Sequence, residues 1–181
     1  GIYVAKRKGK LWGQPKLLQI KVDSNTTIGH PTLSEDESTL IFSSDMSGGY
    51  GGKDLWIVQK EKRNSWSTPI NLGPLVNTPG DEMFPFLHTD GTIYFASTGH
   101  IGMGGFDIYK TTQDVNGAYI LPVNLKSPIN SSADDFGMII EKDGETFAIF
   151  GVLEFLLEGT VFNENQPYPA FGQIDKLCKI I

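Results

Sequence analysis

The chain repeats itself. Trp12-Gly13-Gln14-Pro15 returns as Trp66-Ser67-Thr68-Pro69 and again as Tyr119-Ile120-Leu121-Pro122, at offsets of 54 and then 53 residues. A leucine follows each in the same register, at Leu18, Leu72 and Leu125. Asn71 and Asn77 map onto Asn124 and Asn130, the acidic pair Asp81-Glu82 onto Asp134-Asp135, and Pro31 onto Pro85. The turns Asp36-Glu37-Ser38, Asp90-Gly91 and Asp143-Gly144 come next, and the extra residue in the first explains the longer offset. Leu40-Ile41-Phe42 and Ile93-Tyr94-Phe95 follow, and each Phe leads to an Asp, in Gly51-Gly52-Lys53-Asp54-Leu55-Trp56 and Gly104-Gly105-Phe106-Asp107-Ile108-Tyr109. A period this long fits shorter-repeat solenoids poorly, and each repeat must bury its faces against its neighbours.

Each period holds four short apolar or alternating runs separated by turn residues, which predicts an antiparallel four-stranded unit. In the second period the runs lie near 68–73, 83–88, 92–97 and 106–112. Asp90-Gly91 is the strongest hairpin signal, because a type I′ turn needs positive φ and glycine supplies it. With 21 glycines and 10 prolines in 181 residues, the composition favours short strands and tight turns, and no helix is expected before residue 150. The predicted fold is all-β, a partial β-propeller of about three blades over residues 1–150, where four to eight blades usually close. Ile2-Tyr3 stands where the last strand of an earlier blade would run. Beyond 150 the register lapses, since Leu157, Glu158 and Thr160 occupy the places of the Gly-Gly pair and the Asp. Residues 151–181 are expected to be an irregular tail.

A net charge of −6 and no basic stripe beyond Lys6–Lys10 argue against nucleic acid as a partner. No run of 18 apolar residues suggests a membrane span, and the first residues lack the pattern of a signal peptide, so an export signal is expected upstream. The single Cys178 forms no internal disulfide and leaves the compartment open.

Several residues invite chemistry. Asp45, Asp54 and Asp107 with the glycine loops 48–52 and 102–105 could ligate a hard cation. One Asp per repeat in one register is better read as a turn cap on backbone N–H groups. Asp81-Glu82 and Asp134-Asp135 could serve as general acid and base, but they too recur with the repeat. His30, His88 and His100 differ in repeat position and make no convincing metal cluster, and no nucleophile or phosphate-loop motif is present. Neither a cofactor nor a metal is expected, and the chain is read as a non-enzyme. Trp12, Trp66 and Tyr119 could stack sugars, yet their period points to blade packing. Loops 45–52 and 98–105 are the best interface candidates, with Asp45, Tyr50, His100 and Met103 as partner-binding residues.

Pro31-Thr32-Leu33-Ser34-Glu35-Asp36 before Leu40-Ile41-Phe42-Ser43-Ser44, and Pro85-Phe86-Leu87-His88-Thr89-Asp90-Gly91 before Ile93-Tyr94-Phe95-Ala96-Ser97, resemble the TolB-like (WD-repeat-like) propeller repeat. The Gly-Gly-x-Asp-Ile-Tyr and Trp-x-x-Pro-x-Asn-Leu stretches resemble the narrower group found in OmpA-family, outer-membrane-associated proteins of Bacteroidetes-type bacteria, including a component of the type IX secretion machinery. The resemblance covers residues 1 to about 150. It implies a periplasmic, outer-membrane-associated scaffold whose partners are other envelope proteins, with peptidoglycan reached only through domains not in this chain. The stretch 157–167 looks like the first strand and turn of a carboxypeptidase-regulatory-like β-domain. The alternative is a propeller-based carbohydrate-active enzyme, which predicts carboxylates converging at the central channel. A glycan-binding module would instead need exposed aromatics outside the repeat register, such as Tyr50 and Tyr168.

Overall fold

A computed structural model describes residues 1–61, 65–141, 146–151 and 160–163. Among these residues there are strands and no helix. At the start, β1 (Tyr3–Val4) pairs with β4 (Lys16–Leu17) around a small hairpin of β2 (Arg7–Lys8) and β3 (Leu11–Trp12). Two complete antiparallel sheets follow. The first runs in spatial order β5 (Ile28–Leu33), β6 (Thr39–Ser44), β7 (Asp54–Gln59) and β8 (Ile70–Asn71). The second runs β9 (Glu82–Leu87), β10 (Ile93–Ser97), β11 (Asp107–Thr111) and β12 (Val123–Asn124). A third sheet joins β13 (Asp135–Ile140), β14 (Thr146–Gly151) and β15 (Thr160–Asn163). These are propeller blades, each with its first strand innermost and a two-residue strand outermost in the two complete ones.

The four-stranded unit expected from the repeat is present, with its phase corrected. Ile70 and Asn71 pair with Ile57 and Trp56, so the run at 68–73 closes the blade before it and does not open the next. It follows β7 through a hairpin and meets a free sheet edge, whereas the connection 72–81 separates it from β9. By the same logic Tyr3–Val4 is a third strand with its own fourth at Lys16–Leu17. At the other end, β15 pairs with β14 from Thr146↔Asn163 to Ile149↔Thr160, the place of a third strand. Pairing needs an extended backbone beside a free edge, and the missing Gly-Gly-x-Asp loop does not prevent it. The third sheet thus runs past residue 150, while Tyr168, Cys178 and most of 157–167 lie outside the described residues.

The middle strands are buried on both faces, and this shapes their sequence. In β6, Leu40 and Phe42 point to a cluster with Ile2, Ile28, Trp56, Val58 and Trp66. Ile41 points the other way, to Leu55, Leu72, Val76, Ile93, Phe95 and Tyr109 of the first and second blades. A smaller cluster of Ile108, Met138 and Ile140 joins the second blade to the third. Alternation of polar and apolar residues is therefore absent from Leu40-Ile41-Phe42, because neither face meets water. Trp66 is buried in the first cluster and Tyr119 packs partly on the second, while Trp12, the third member of the series, is 64% exposed.

The outer strands are short because asparagine side chains continue their work. Asn77 is 1% exposed; its Oδ1 accepts from the Leu55 amide at 2.8 Å and its Nδ2 donates to the Leu55 carbonyl at 3.0 Å. That is the bonding of a strand neighbour, made by a carboxamide. Asn130 does the same to Ile108, at 2.8 and 2.9 Å. Each also donates to the preceding asparagine of its repeat, Asn71 or Asn124, at 2.8 Å. The Leu55 carbonyl also accepts from Leu72 N–H at 3.1 Å, so removing the carboxamide strands the buried Leu55 amide alone, at about 1–3 kcal/mol. Asn77→Ala is expected to destabilise by about 1–3 kcal/mol in urea unfolding; a loss below about 0.5 kcal/mol would show that the Leu55 amide finds another acceptor.

Candidate functional site

The interface loops predicted from sequence turn out to have two layers, a backbone that holds neighbouring blades together and side-chain tips that remain exposed. The backbone layer recurs. Gly52 N–H donates to Gly80 C=O at 2.9 Å, Lys53 N–H to Asp81 Oδ1 at 2.8 Å, and Glu82 N–H to Lys53 C=O at 2.6 Å. One repeat later, Phe106 N–H donates to Asp134 Oδ1 and Asp135 N–H to Phe106 C=O, both at 2.8 Å. The glycines permit the approach. A Cβ at Gly51 would collide with the Thr78 and Gly80 carbonyls, and one at Gly104 with the Ala133 carbonyl.

Inside each loop the recurring aspartate is a cap, as the repeat implies. Asp54 accepts from Tyr50 N–H at 2.7 Å, Gly51 N–H at 3.2 Å and Asn71 Nδ2 at 2.7 Å. Asp107 accepts from Met103 N–H at 2.8 Å and Gly104 N–H at 3.0 Å. In the second blade the Asn124 carboxamide turns to the Ile101 carbonyl at 3.4 Å, and Asp107 Oδ1 is left buried without a partner. The paired acids are also held in the scaffold. Glu82, fully buried, accepts from Thr78 N–H at 2.8 Å and from the Thr78 and Ser97 hydroxyls at 2.6 Å each. Asp135 binds Ser131 N–H at 2.6 Å in the equivalent place.

The four predicted partner-binding residues separate accordingly. Tyr50 and Met103 stand at equivalent tips, 49% and 53% exposed, on amides fixed by Asp54 and Asp107. Ile101, which the sequence reading did not single out, is 97% exposed beside Met103. Asp45 is exposed, accepts from Thr27 N–H at 2.7 Å and pairs with Lys53 at 3.8 Å. Thr98 holds the equivalent place and accepts from Asp81 N–H at 2.9 Å, so Asp45 has a scaffold role of its own. His100 is half-buried; Nε2 lies 2.9 Å from the Val76 carbonyl and its ring sits 5.0 Å from Tyr109, which places it in the packing between blades.

The histidines stay apart from one another. His88 contacts Asp90 at 2.9 Å and the Glu141 carbonyl at 3.2 Å. His30 stacks on Phe84 at 4.0 Å, and Phe84 on Phe136 at 4.7 Å, along the innermost strands. His30 and Phe84 occupy one repeat position in a bulged strand, with φ of 48° and 52°. Such backbone costs on the order of 1 kcal/mol per residue, which the ring stack offsets. Burial, with the Lys53 charge behind it, holds the His30 ring below the ordinary histidine pKa. Nothing in the sequence period foretold the stack, because the third equivalent residue is Gly137. Among the described residues no three His, Cys, Asp or Glu side chains are grouped to hold a metal ion.

No protein-family model matches the chain, and no curated protein does. Among solved structures the chain is similar to the crystal structure of an alpha-L-arabinofuranosidase from Lactobacillus brevis, with 13% identity and a TM-score of 0.44. The match covers 89% of this chain and 60% of that one, so the chain spans less than two thirds of the enzyme's length.

Burial raises the carboxyl pKa of both Glu82 and Asp135 above the ordinary values, against the pull of their hydrogen bonds. The unfolded chain then loses these protons at lower pH than the folded chain. Their contribution is full below the unfolded pKa and is lost as pH rises through the folded one. Relative to Glu82→Gln, the wild-type urea midpoint is expected to rise as pH falls from about 8 to about 4.5. A flat difference between the two proteins would contradict this.

Proposed function

We propose that this chain is a non-enzymatic scaffold that binds a partner protein through the loop tips carrying Tyr50, Ile101 and Met103. The carrying observation is the contrast between the two layers of those loops. Their backbones are fixed by carboxylates and by the next blade, while apolar side chains stand in solvent at equivalent or adjacent positions. A fixed backbone lowers the ordering cost of binding, and exposed aromatic, isoleucine and methionine side chains are suited to bury as anchors. The recurring carboxylates also support a scaffold. Asp54, Asp81, Glu82, Asp107, Asp134 and Asp135 all accept backbone N–H groups in equivalent turns, as structural caps do.

The setting comes from the repeat alone. Its resemblance to the TolB-like propellers of OmpA-family proteins supports a periplasmic assembly at the outer membrane, of the type IX secretion or gliding kind, with other envelope proteins as partners.

A photo-crosslinking amino acid placed at Tyr50 or Met103 is expected to yield one discrete protein adduct in the native host. The same group at Val115, 102% exposed on the hairpin at the opposite end of the blade, should not give it. Equal labelling from all three positions would defeat the proposal.

A further inference from the structure

We propose a second site, independent of the loop tips: a pocket for a neutral sugar ring in the outer groove between the first two blades. The groove has a volume of about 580 Å³, within the range of small-molecule sites. Its walls are Ile57, Ile70, Leu72 and Leu75 from the first blade and the connection after it, and the Gln113–Tyr119 hairpin of the second. The half-buried Tyr119 offers part of its ring as an apolar platform. Around it stand three groups without hydrogen-bond partners among the described residues: the Tyr119 hydroxyl, the Gln113 carboxamide and Gln59 Nε2. The Gln59 Oε1 already accepts from Thr39. An aromatic face for C–H groups, ringed by neutral donors and acceptors for hydroxyls, is the chemistry that recognises an uncharged carbohydrate.

Tyr119 and Leu72 keep the aromatic and the leucine of the repeat, but three other lining positions depart from it. The residues equivalent to Ile70, Leu75 and Gln113 one repeat earlier are Lys16, Lys21 and Lys60. Three positions that carry ammonium groups at one junction are neutral at the next. Apart from the Tyr119 phenol, nothing lining the groove is ionisable. That composition disfavours a phosphate, a carboxylate or an acidic peptide, each of which would gain from the lysines of the earlier repeat.

The experiment is saturation-transfer difference NMR on the whole chain with glucose, galactose, mannose, arabinose, N-acetylglucosamine and their disaccharides as probes. At least one should show transfer, and Gln113→Lys, which installs the earlier repeat's residue at an exposed position, should weaken that signal by at least about fivefold. Tyr119→Phe, which keeps the ring against the second cluster and removes only the hydroxyl, should weaken it as well. Absence of transfer from every probe overturns the site. So does a signal equally strong in the Gln113→Lys protein, which would place the sugar elsewhere.

Discussion

The main-chain bonds between one blade's glycine loop and the turn that leads into the next blade are the constraint on which the rest depends. They set how closely successive sheets approach. That distance in turn decides that Ile41 is buried, and that Phe95 and Tyr109 pack against the first blade. They also explain the acid chemistry of the chain. Asp81 and Asp134 meet amides at the junction, Glu82 and Asp135 hold the turn from beneath, and Asp54 and Asp107 hold the loop from within. Four carboxylates that could suggest acid-base chemistry and two that could suggest a cation site all bind backbone amides of this scaffold.

Much of this was legible in the sequence, and the reason is periodicity. A residue that returns at the same interval answers to a requirement of the repeat, so the all-β blade architecture, the capping aspartates and the hairpin at Asp90-Gly91 could be read, although φ is positive at Gly91 and not at Asp90, so the turn is not the expected type I′. The phase of the blade could not. A four-strand period looks the same wherever it is cut, and only the pairing of Ile70 and Asn71 with β7 shows that the short strand comes last. Asn77 and Asn130 were visible as recurring residues, but nothing in their spacing says that a carboxamide will take the place of a strand. The candidate residues were harder still. Tyr50 and Met103 are exposed as expected, yet Asp45 and His100, chosen from the same loops, are engaged with Thr27 and Val76.

Departures from the repeat carry the rest of the information. His30 and Phe84 take left-handed backbone at a position where the third blade has Gly137, and their rings form a stack that no periodic signal encodes. The neutral groove beside Tyr119 is another departure, since lysines stand at the matching places one repeat before. What recurs builds the array, and what fails to recur distinguishes one blade's surface from the next.

Asn77 belongs by position to the segment leading into the second blade and by bonding to the first. The blade is thus completed by a residue that lies beyond its last strand. A duplicated stretch of one period carries half of a junction at each end, and a new copy brings the side chains that complete its predecessor. Such an array can lengthen by gene duplication without first evolving a new interface, and a blade cut out at its own strand boundaries would lack the residue that finishes it.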